Sequence, residues 1–405
     1  MKFFMYKNKT NLKEYSIRLI EKLLNDYMVN DPQSADYILV SLCDITEITD
    51  IIKARQYGKP IITGGMISEY PLINEISDYV WHGEVYGFRD ALHQGEDPAS
   101  MSSMTSKNQR RLVIDQRISW AENPIIKVGN RAMYYYVAKG CPLRCKYCYI
   151  GNVRDYQTAP EVRYNQALKV AGKNLMPIAA FNPYGIPDGA NIGETLLKKY
   201  ITGEQGAHAK MIRSGVEFVT PELSQNLAKG VTIEHVNEAL ARSKSEKTKM
   251  ILYFIAGLEP QEVFESYFSR VAVDYATMPA VNVVFTYLDP QPFTPFHDFD
   301  IRRKITGIDT KKIFRIITER NKRFRVLPLA GPEKSTIRTM LGRCVSQDDY
   351  AFIKSIGKLS HDEMIKKADE RNYLLGDCDI ERICARPRKT IVPAYWIAGG
   401  VKISQ

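Results

Sequence analysis

Gly140-Cys141-Pro142-Leu143-Arg144-Cys145-Lys146-Tyr147-Cys148-Tyr149 sets three cysteines at C-x3-C-x2-C spacing, directly after the apolar run Met133 to Ala138, which reads as a strand. Thiolates are the ligands of iron–sulfur clusters, and a [4Fe–4S] cube has four iron corners. Three cysteines within one short loop can wrap three corners. With no fourth cysteine nearby, one iron would stay open to a small ligand, which a fully cysteine-ligated electron carrier does not allow. Two plainer readings stand beside this one, a zinc site and three unrelated core thiols. A structural zinc site asks for two ligand pairs in a tetrahedral set. No C-x2-C or H-x3-H partner lies within the next hundred residues.

The stretch closely resembles the cluster-binding loop of the radical S-adenosylmethionine (radical SAM) superfamily, with Tyr147 in the aromatic slot before the third cysteine. The resemblance implies that Cys141, Cys145 and Cys148 are metal ligands. It also implies that the free iron is chelated by the amino and carboxylate groups of SAM. Reductive cleavage then gives methionine and a 5′-deoxyadenosyl radical, chemistry that belongs to the cofactor. A reducing partner such as flavodoxin or ferredoxin is implied with it.

Composition agrees with an enzyme of this kind. The chain of 405 residues is long enough for two or three domains, and is 44% hydrophobic and 25% charged. It has no run of eighteen apolar residues to cross a membrane, and Met1 to Lys7 is too short and polar for a signal peptide. Seven cysteines, three of them in a ligand motif, suit a reducing cytoplasm better than a disulfide scaffold. A cytoplasmic location is therefore expected, with no membrane partner.

Ahead of the cysteines, strands and helices alternate. Strands are expected at Met1 to Lys7, Ala35 to Leu42, Lys59 to Gly65 and Asp78 to Glu84. Helices are expected at Leu12 to Met28, Ile45 to Gln56, Ser68 to Ile76 and from Tyr86 onward. The pattern predicts an α/β fold with a doubly wound parallel sheet over residues 1–100. This half resembles the cobalamin-binding, Rossmann-like domain that precedes the cluster domain in many radical SAM enzymes. The likeness rests on Thr63-Gly64-Gly65 and on Asp78-Tyr79-Val80-Trp81-His82-Gly83-Glu84, whose glycines would turn tightly or admit a ligand at strand ends. It departs from the family where cobalt-ligating members carry Asp-x-His-x-x-Gly: Lys9-Thr10-Asn11-Leu12 stands there, and the first histidine is His82. Some members bind cobalamin without that histidine. The resemblance thus allows cobalamin but favours a docking or structural role, with His82 and Cys43 as ordinary packed or surface residues. Residues 101–130, small and polar at their start, read as a linker.

Residues 131–300 continue the alternation and, with the resemblance, predict a partial (β/α)6 radical SAM barrel whose strand tips converge on the cluster. Arg213-Ser214-Gly215-Val216-Glu217, followed by Leu223 to Gly230, is similar to the strand and loop whose acidic residue meets the SAM ribose. A carboxylate can accept from two vicinal hydroxyls, which assigns Glu217 that role. Phe254-Ile255-Ala256-Gly257-Leu258-Glu259-Pro260 resembles the stretch that packs on adenine, with backbone contact at Gly257. The family's Gly-Gly-Glu stretch is degenerate here, appearing as Phe181-Asn182-Pro183-Tyr184-Gly185, so Asn182 or carbonyls would meet the SAM amino group. Backbone near Tyr147 completes the cofactor set. Arg154, Arg163 and Arg213 are candidate partners for the SAM carboxylate, since guanidinium binds carboxylate bidentately. Asp289-Pro290-Gln291-Pro292-Phe293-Thr294-Pro295-Phe296 would wall a substrate cavity.

Residues 301–405 read as a mainly helical, basic region for substrate binding or capping. Thirteen Lys and Arg stand against three Asp and Glu between 301 and 343, a surplus matching the +10 of the whole chain. With Phe314, Phe324, Tyr350 and Phe352 interspersed, this suits phosphate contact and base stacking; an amphipathic helix with Ile313, Phe314, Ile316 and Ile317 inward explains the same letters. Cys344, Cys378 and Cys384 are candidates for a radical-quenching thiol or an auxiliary metal, or are buried free thiols. Related families methylate, methylthiolate or rearrange tRNA and DNA bases. The expected function is therefore radical SAM modification of a nucleic acid base, of transferase or isomerase type. The alternative is a radical SAM methyltransferase or related enzyme acting on a small molecule or peptide.

Overall fold

Tyr37-Ile38-Leu39-Val40-Ser41-Leu42 is buried along nearly its whole length, as a parallel strand covered on both faces must be. It is strand β2 of the first sheet, which joins β1 (Phe3–Met5), β2 (Tyr37–Leu42), β3 (Ile61–Gly65) and β4 (Tyr79–Trp81) in parallel, with β5 (Met104–Thr105) antiparallel to β4. This computed structural model describes residues 1–7, 14–106, 111–112, 114–129, 132–185, 193–194, 197–204, 209–274, 279–300, 309–320, 324–328, 332–373, 380–386 and 402–403. They form two units: Met1–Val128 with Ile337–Tyr373 and the short strand Lys402–Ile403, and Gly129–Thr336 with the short helix Ile380–Ala385. No helix of the described residues is long and apolar enough to cross a membrane.

In the first unit, helices α1 (Glu14–Leu23), α2 (Thr49–Ala54), α3 (Pro71–Ile76) and α4 (Val85–His93) fall close to their expected places. Ile17 of α1 and Phe88 and Leu92 of α4 cover one face of the sheet, over Phe3, Met5, Leu39, Ile62 and Trp81. Thr105 points away from that cluster, alternating with Met104. It donates to Asn74 of α3 at 2.5 Å and holds His82 Nε2 at 2.6 Å. Both faces are therefore covered.

Two expectations change here. A doubly wound sheet reverses its strand order once, which opens a crevice for ligands. This sheet runs β1-β2-β3-β4-β5 without reversal, so the α/β class holds and the doubly wound order does not. Alternating strands and helices in a sequence carry no information on which edge each new strand joins. Residues 101–130, expected as a linker, supply β5 and further anchors to the first unit. Glu122 pairs with Arg89 at 2.5 Å, and Tyr86 donates to Asn123 at 2.9 Å.

The first unit also takes back the late segment Ile337–Tyr373. Arg338 forms an ion pair with Asp44, and Gln347 donates to the carbonyl of Glu75 at 2.9 Å. Helices Gln347–Ile356 and His361–Glu370 start at Ser346 and Ser360, whose hydroxyls accept from the backbone three residues on.

The second unit carries two parallel sheets. Ala132–Tyr136 pairs with Leu175–Ile178. Gly193–Glu194, Met211–Glu217, Lys249–Ala256, Val281–Tyr287 and Phe324–Pro328 pair in that order. Sequential parallel order with intervening helices is the arrangement an open (β/α) barrel uses. The expected boundary at residue 300 falls inside this sheet, because Phe324–Pro328 is its last strand. The other described elements after 300 are helices, apart from the short strand Lys402–Ile403, which pairs with Arg111–Leu112. Phe254, Phe264, Phe268 and Phe285 interlock at the core, with Phe264 edge-on to Phe285 at 5.2 Å. Burying each such side chain contributes about 1.5–3 kcal/mol.

Candidate active site

The cysteine loop is braced from three directions. Asn152, on the helix Tyr149–Val153 that follows it, donates to the carbonyls of Cys145 at 3.0 Å and Cys148 at 2.7 Å. Gln291 accepts from the backbone N–H of Tyr149 at 2.7 Å, so the proline-rich stretch closes on the loop. Leu227 accepts from Lys146 N at 3.1 Å, and the Cys145 Sγ lies 3.7 Å from the carbonyl of Ala228. The loop is thus held by backbone bonds from outside itself, with Cys145 buried and Cys141 and Cys148 half-buried.

The three thiols act on one another electrostatically. Burial pushes Cys145 up to about 11 and raises Cys141, while Lys229 pulls both the other way. Among the described residues, no three His, Cys, Asp or Glu side chains converge as a single metal ion would require. A four-iron cube asks for a different arrangement, one thiolate at each of three separated corners. Three cysteines on one braced loop, with Lys229 on the segment that braces it, supply the donor type and number for this.

Beside the loop stands a feature absent from the expectations. The strand Met211–Glu217 buries Ile212, Ser214 and Val216 and turns Arg213, Gly215 and Glu217 to its other face. A bulge between Gly215 and Glu217 ends it, with Glu217 at φ +71°. The Glu217 carboxylate pairs with Lys229 at 2.8 Å, and the two side chains are only 15% and 12% exposed. An unpaired charge at this depth would cost several kcal/mol, so each requires the other. Burial alone would push Lys229 down, but Glu217 and the thiols of Cys145 and Cys148 raise it, so it stays an ammonium. Gly215 makes the room: a Cβ there would overlap the Glu217 carboxylate and stand 2.8 Å from Lys229 Nζ. Tyr147 packs edge-on to Phe218 at 5.8 Å, and its hydroxyl is pushed up by burial and then by Glu217 and Cys145.

The remaining expected residues divide. Gly257 follows the strand Lys249–Ala256 at φ +100°, leaving its backbone free of a side chain at the strand tip. Two residues on, the buried Glu259 accepts from Val219 N at 2.9 Å and Thr220 N at 2.6 Å, tying adjacent strand ends together. Arg213 lies on the face of Glu217, and its buried Nε has no partner among the described residues. Asn182 is committed to its own loop, accepting from Tyr184 N at 3.0 Å and donating to Gly185 O at 2.5 Å. Arg163 is exposed on the helix Glu161–Ala171 and donates to Gln166 at 3.3 Å. Arg154 is buried.

Cys344 is fully buried in the first unit, whereas the cysteine loop belongs to the second. Burial, and then Asp349, pushes its thiol well up. Cys378 and the side chain of Cys384 lie outside the described residues. In the first unit, the glycine at the end of β3 meets protein: Gly65, at φ +113°, would with a Cβ overlap the carbonyl of Leu42 and stand 2.8 Å from its nitrogen. His82 is fully buried and bonded to Thr105, in keeping with an ordinary packed residue.

The basic segment is only partly a surface. Lys311, Lys312 and Arg315 are exposed on the helix Thr310–Arg320, with Phe314 44% exposed among them, while Ile313 and Ile317 turn inward. Arg338 is paired with Asp44, and Arg343 donates to the carbonyl of Tyr373 at 2.7 Å. Phe352 stacks on Tyr373, with Arg371 over its ring at 4.1 Å. Residues 301–308 and 321–323 lie outside the described residues.

No family model matches the chain, and no curated protein matches it. Among solved structures, it is similar to the cobalamin-dependent S-adenosylmethionine radical enzyme OxsB with aqua-cobalamin bound, at 12% identity and TM-score 0.48, over 67% of this chain and 52% of that one. The form with aqua-cobalamin and S-adenosylmethionine bound aligns at 12% identity and TM-score 0.32, over 92% and 56%. The apo form aligns at 12% and 0.28, over 88% and 49%. The chain spans about half the length of these structures.

Proposed function

We propose that this chain is a radical SAM enzyme in which Cys141, Cys145 and Cys148 hold a [4Fe–4S] cluster by three corners and leave the fourth iron for SAM. When bound, such a cluster supplies the electron that cleaves SAM to methionine and a 5′-deoxyadenosyl radical. The protein's part is to hold, orient and shield. Asn152, Gln291 and the carbonyls of Leu227 and Ala228 fix the loop. Glu217, held by Lys229, offers a fixed carboxylate to the ribose hydroxyls, and the half-buried Arg213 on the same strand face offers its guanidinium to the SAM carboxylate. The backbone at Tyr147 and Gly257 lies at the tips that would flank the adenosine. The observation that carries this reading is three cysteines on one braced loop beside a buried carboxylate–ammonium pair.

The substrate proposed is a nucleic acid base, supported by exposed Lys311, Lys312 and Arg315 around Phe314. Cations that track phosphate beside a ring that stacks on a base suit that class, and a base in a duplex would have to be extruded to be reached. The first unit is read as docking or structural, because Gly65 is closed by its own backbone and His82 is satisfied by Thr105.

Anaerobic reconstitution with iron and sulfide, followed by dithionite and SAM, tests the core. The expected result is about four irons per chain, a brown chromophore and release of 5′-deoxyadenosine, all abolished in Cys145→Ala. Full activity in that variant would overturn the assignment. Fluorescence anisotropy with labelled DNA and RNA across a salt series tests the substrate. A steep negative slope in log salt is expected; flat or absent binding leaves a small molecule or peptide.

A further inference from the structure

We propose that Lys229 is a positioning residue that places a buried positive charge against the cysteine loop and thereby favours the reduced state of the cluster held there. This rests on the cluster reading above. The geometry begins with Leu227-Ala228-Lys229, which lies directly on the loop through two carbonyls, one accepting from Lys146 N and the other facing Cys145 Sγ. Ala228 adopts φ +59°, a conformation that costs a side-chain-bearing residue roughly 1–2 kcal/mol. Gly230, which adopts it freely, stands only two residues further on. The turn is therefore built where it brings Lys229 inward.

Once inward, the ammonium is enclosed: its side chain is 12% exposed, with Glu217 at 2.8 Å. Lys229 also acts electrostatically on Cys145 and Cys148. The Gly215 backbone keeps the space open, since any side chain there would displace the pair.

Reduction adds one electron, taken from a low-potential one-electron donor, and breaks or forms no bond. It makes the cluster and its thiolates more negative by one charge. Net charge and nearby dipoles set the potentials of such clusters, and in a dry site a fixed cation acts strongly. Glu217 opposes part of the effect while holding the lysine in place. Removing the cation therefore leaves a buried carboxylate facing the cluster, and removing the carboxylate's charge does the reverse.

The test is a potentiometric titration of the anaerobically reconstituted full chain, followed by the reduced-cluster EPR signal. Wild type is compared with Lys229→Met, Lys229→Arg and Glu217→Gln. At a given potential, Lys229→Met is expected to lower the ratio of reduced to oxidised cluster about tenfold, a shift of about 59 mV for one electron. Lys229→Arg should stay within threefold of wild type, and Glu217→Gln should move the ratio the other way. An unchanged midpoint in Lys229→Met, with full iron content, overturns the inference and leaves the cluster reading intact. If Lys229→Met takes up no iron but Lys229→Arg does, the cation serves to hold the cluster rather than to set its potential, and the inference fails. If neither takes up iron, the residue acts through packing and the inference fails. Absence of iron in wild type itself would remove the cluster reading, and this inference with it.

Discussion

At the end of β3 in the first unit, Gly65 packs its bare Cα against Leu42; at the end of Met211–Glu217 in the second, Gly215 gives its space to a carboxylate and an ammonium. Both are glycines near the carboxyl ends of parallel strands, where α/β folds place their ligands. In the first unit, that end is closed by main chain and by a polar chain from His82 through Thr105 to Asn74. In the second, a bulge, a left-handed Glu217 and a buried lysine bring charge to a loop of thiols. A glycine at a strand end therefore does not by itself mark a ligand site. What its missing side chain makes room for decides that.

The largest effect expected from this contrast is on folding. Gly65→Ala forces a side chain onto backbone at a positive φ, and should destabilise the protein by on the order of 3 kcal/mol, seen as a lower urea midpoint. A wild-type midpoint would mean that the first unit is open at this edge. Gly215→Ala should do the opposite in kind, because the atoms it meets are the ends of flexible side chains. Its urea midpoint should fall less than that of Gly65→Ala, while 5′-deoxyadenosine release falls tenfold or more. Equal loss of stability in both variants would erase the distinction.

Acid and base should separate the units with opposite signs. Burial pushes Asp44 upward, but the bonds from Thr46 and Arg338 outweigh it and hold the carboxyl below its ordinary 3.8. Asp349 is likewise lowered against burial, by Tyr373 and Ser346. Groups lowered on folding contribute stability above the unfolded value and lose it as pH falls through the folded one. The first unit should therefore weaken as pH falls below about 3.8, and the penalty of Asp44→Asn seen at neutral pH should shrink there. In the second unit, burial pushes Glu259 above 4.5 despite the bonds from Thr220 and Val219. Its contribution is full below 4.5 and lost as pH rises through the higher folded value. Glu259→Gln should thus gain on wild type as pH rises, and urea midpoints across pH check both signs.

The smallest contrast lies within the second unit. Arg213→Ala should raise the KM for SAM about tenfold, the loss of roughly 1.4 kcal/mol of binding, whereas exposed Arg163→Ala should leave it within twofold. An equal effect from Arg163→Ala would move the carboxylate site to the helix Glu161–Ala171.

The sequence alone carried the cysteine loop, the strands on either side of it and most of the first unit's elements, because thiol spacing and hydrophobic periodicity are local properties. Strand order was not legible, since pairing partners are chosen in space. Phe324–Pro328 was hidden because its flanks are charged and its sheet neighbour lies some forty residues earlier. Lys229 carried no signal either, as a lysine beside Gly230 in a turn reads as solvated surface. Only the bulge at Glu217 and the absence of a side chain at Gly215 bring it in. Arg338 and Arg343 counted toward a basic surface in the sequence, yet the fold uses them internally, on Asp44 and Tyr373.

The return of Ile337–Tyr373 to the first unit bears on how the chain is made. When Val128 leaves the ribosome, Asp44 and the Glu75 carbonyl still lack Arg338 and Gln347. Gly129–Thr336 of the second unit must be synthesised before they arrive, which at about 5–20 residues per second takes on the order of tens of seconds. The segment that begins first is thus finished last, and during that interval the nascent chain carries an incomplete amino-terminal sheet that chaperones can reach.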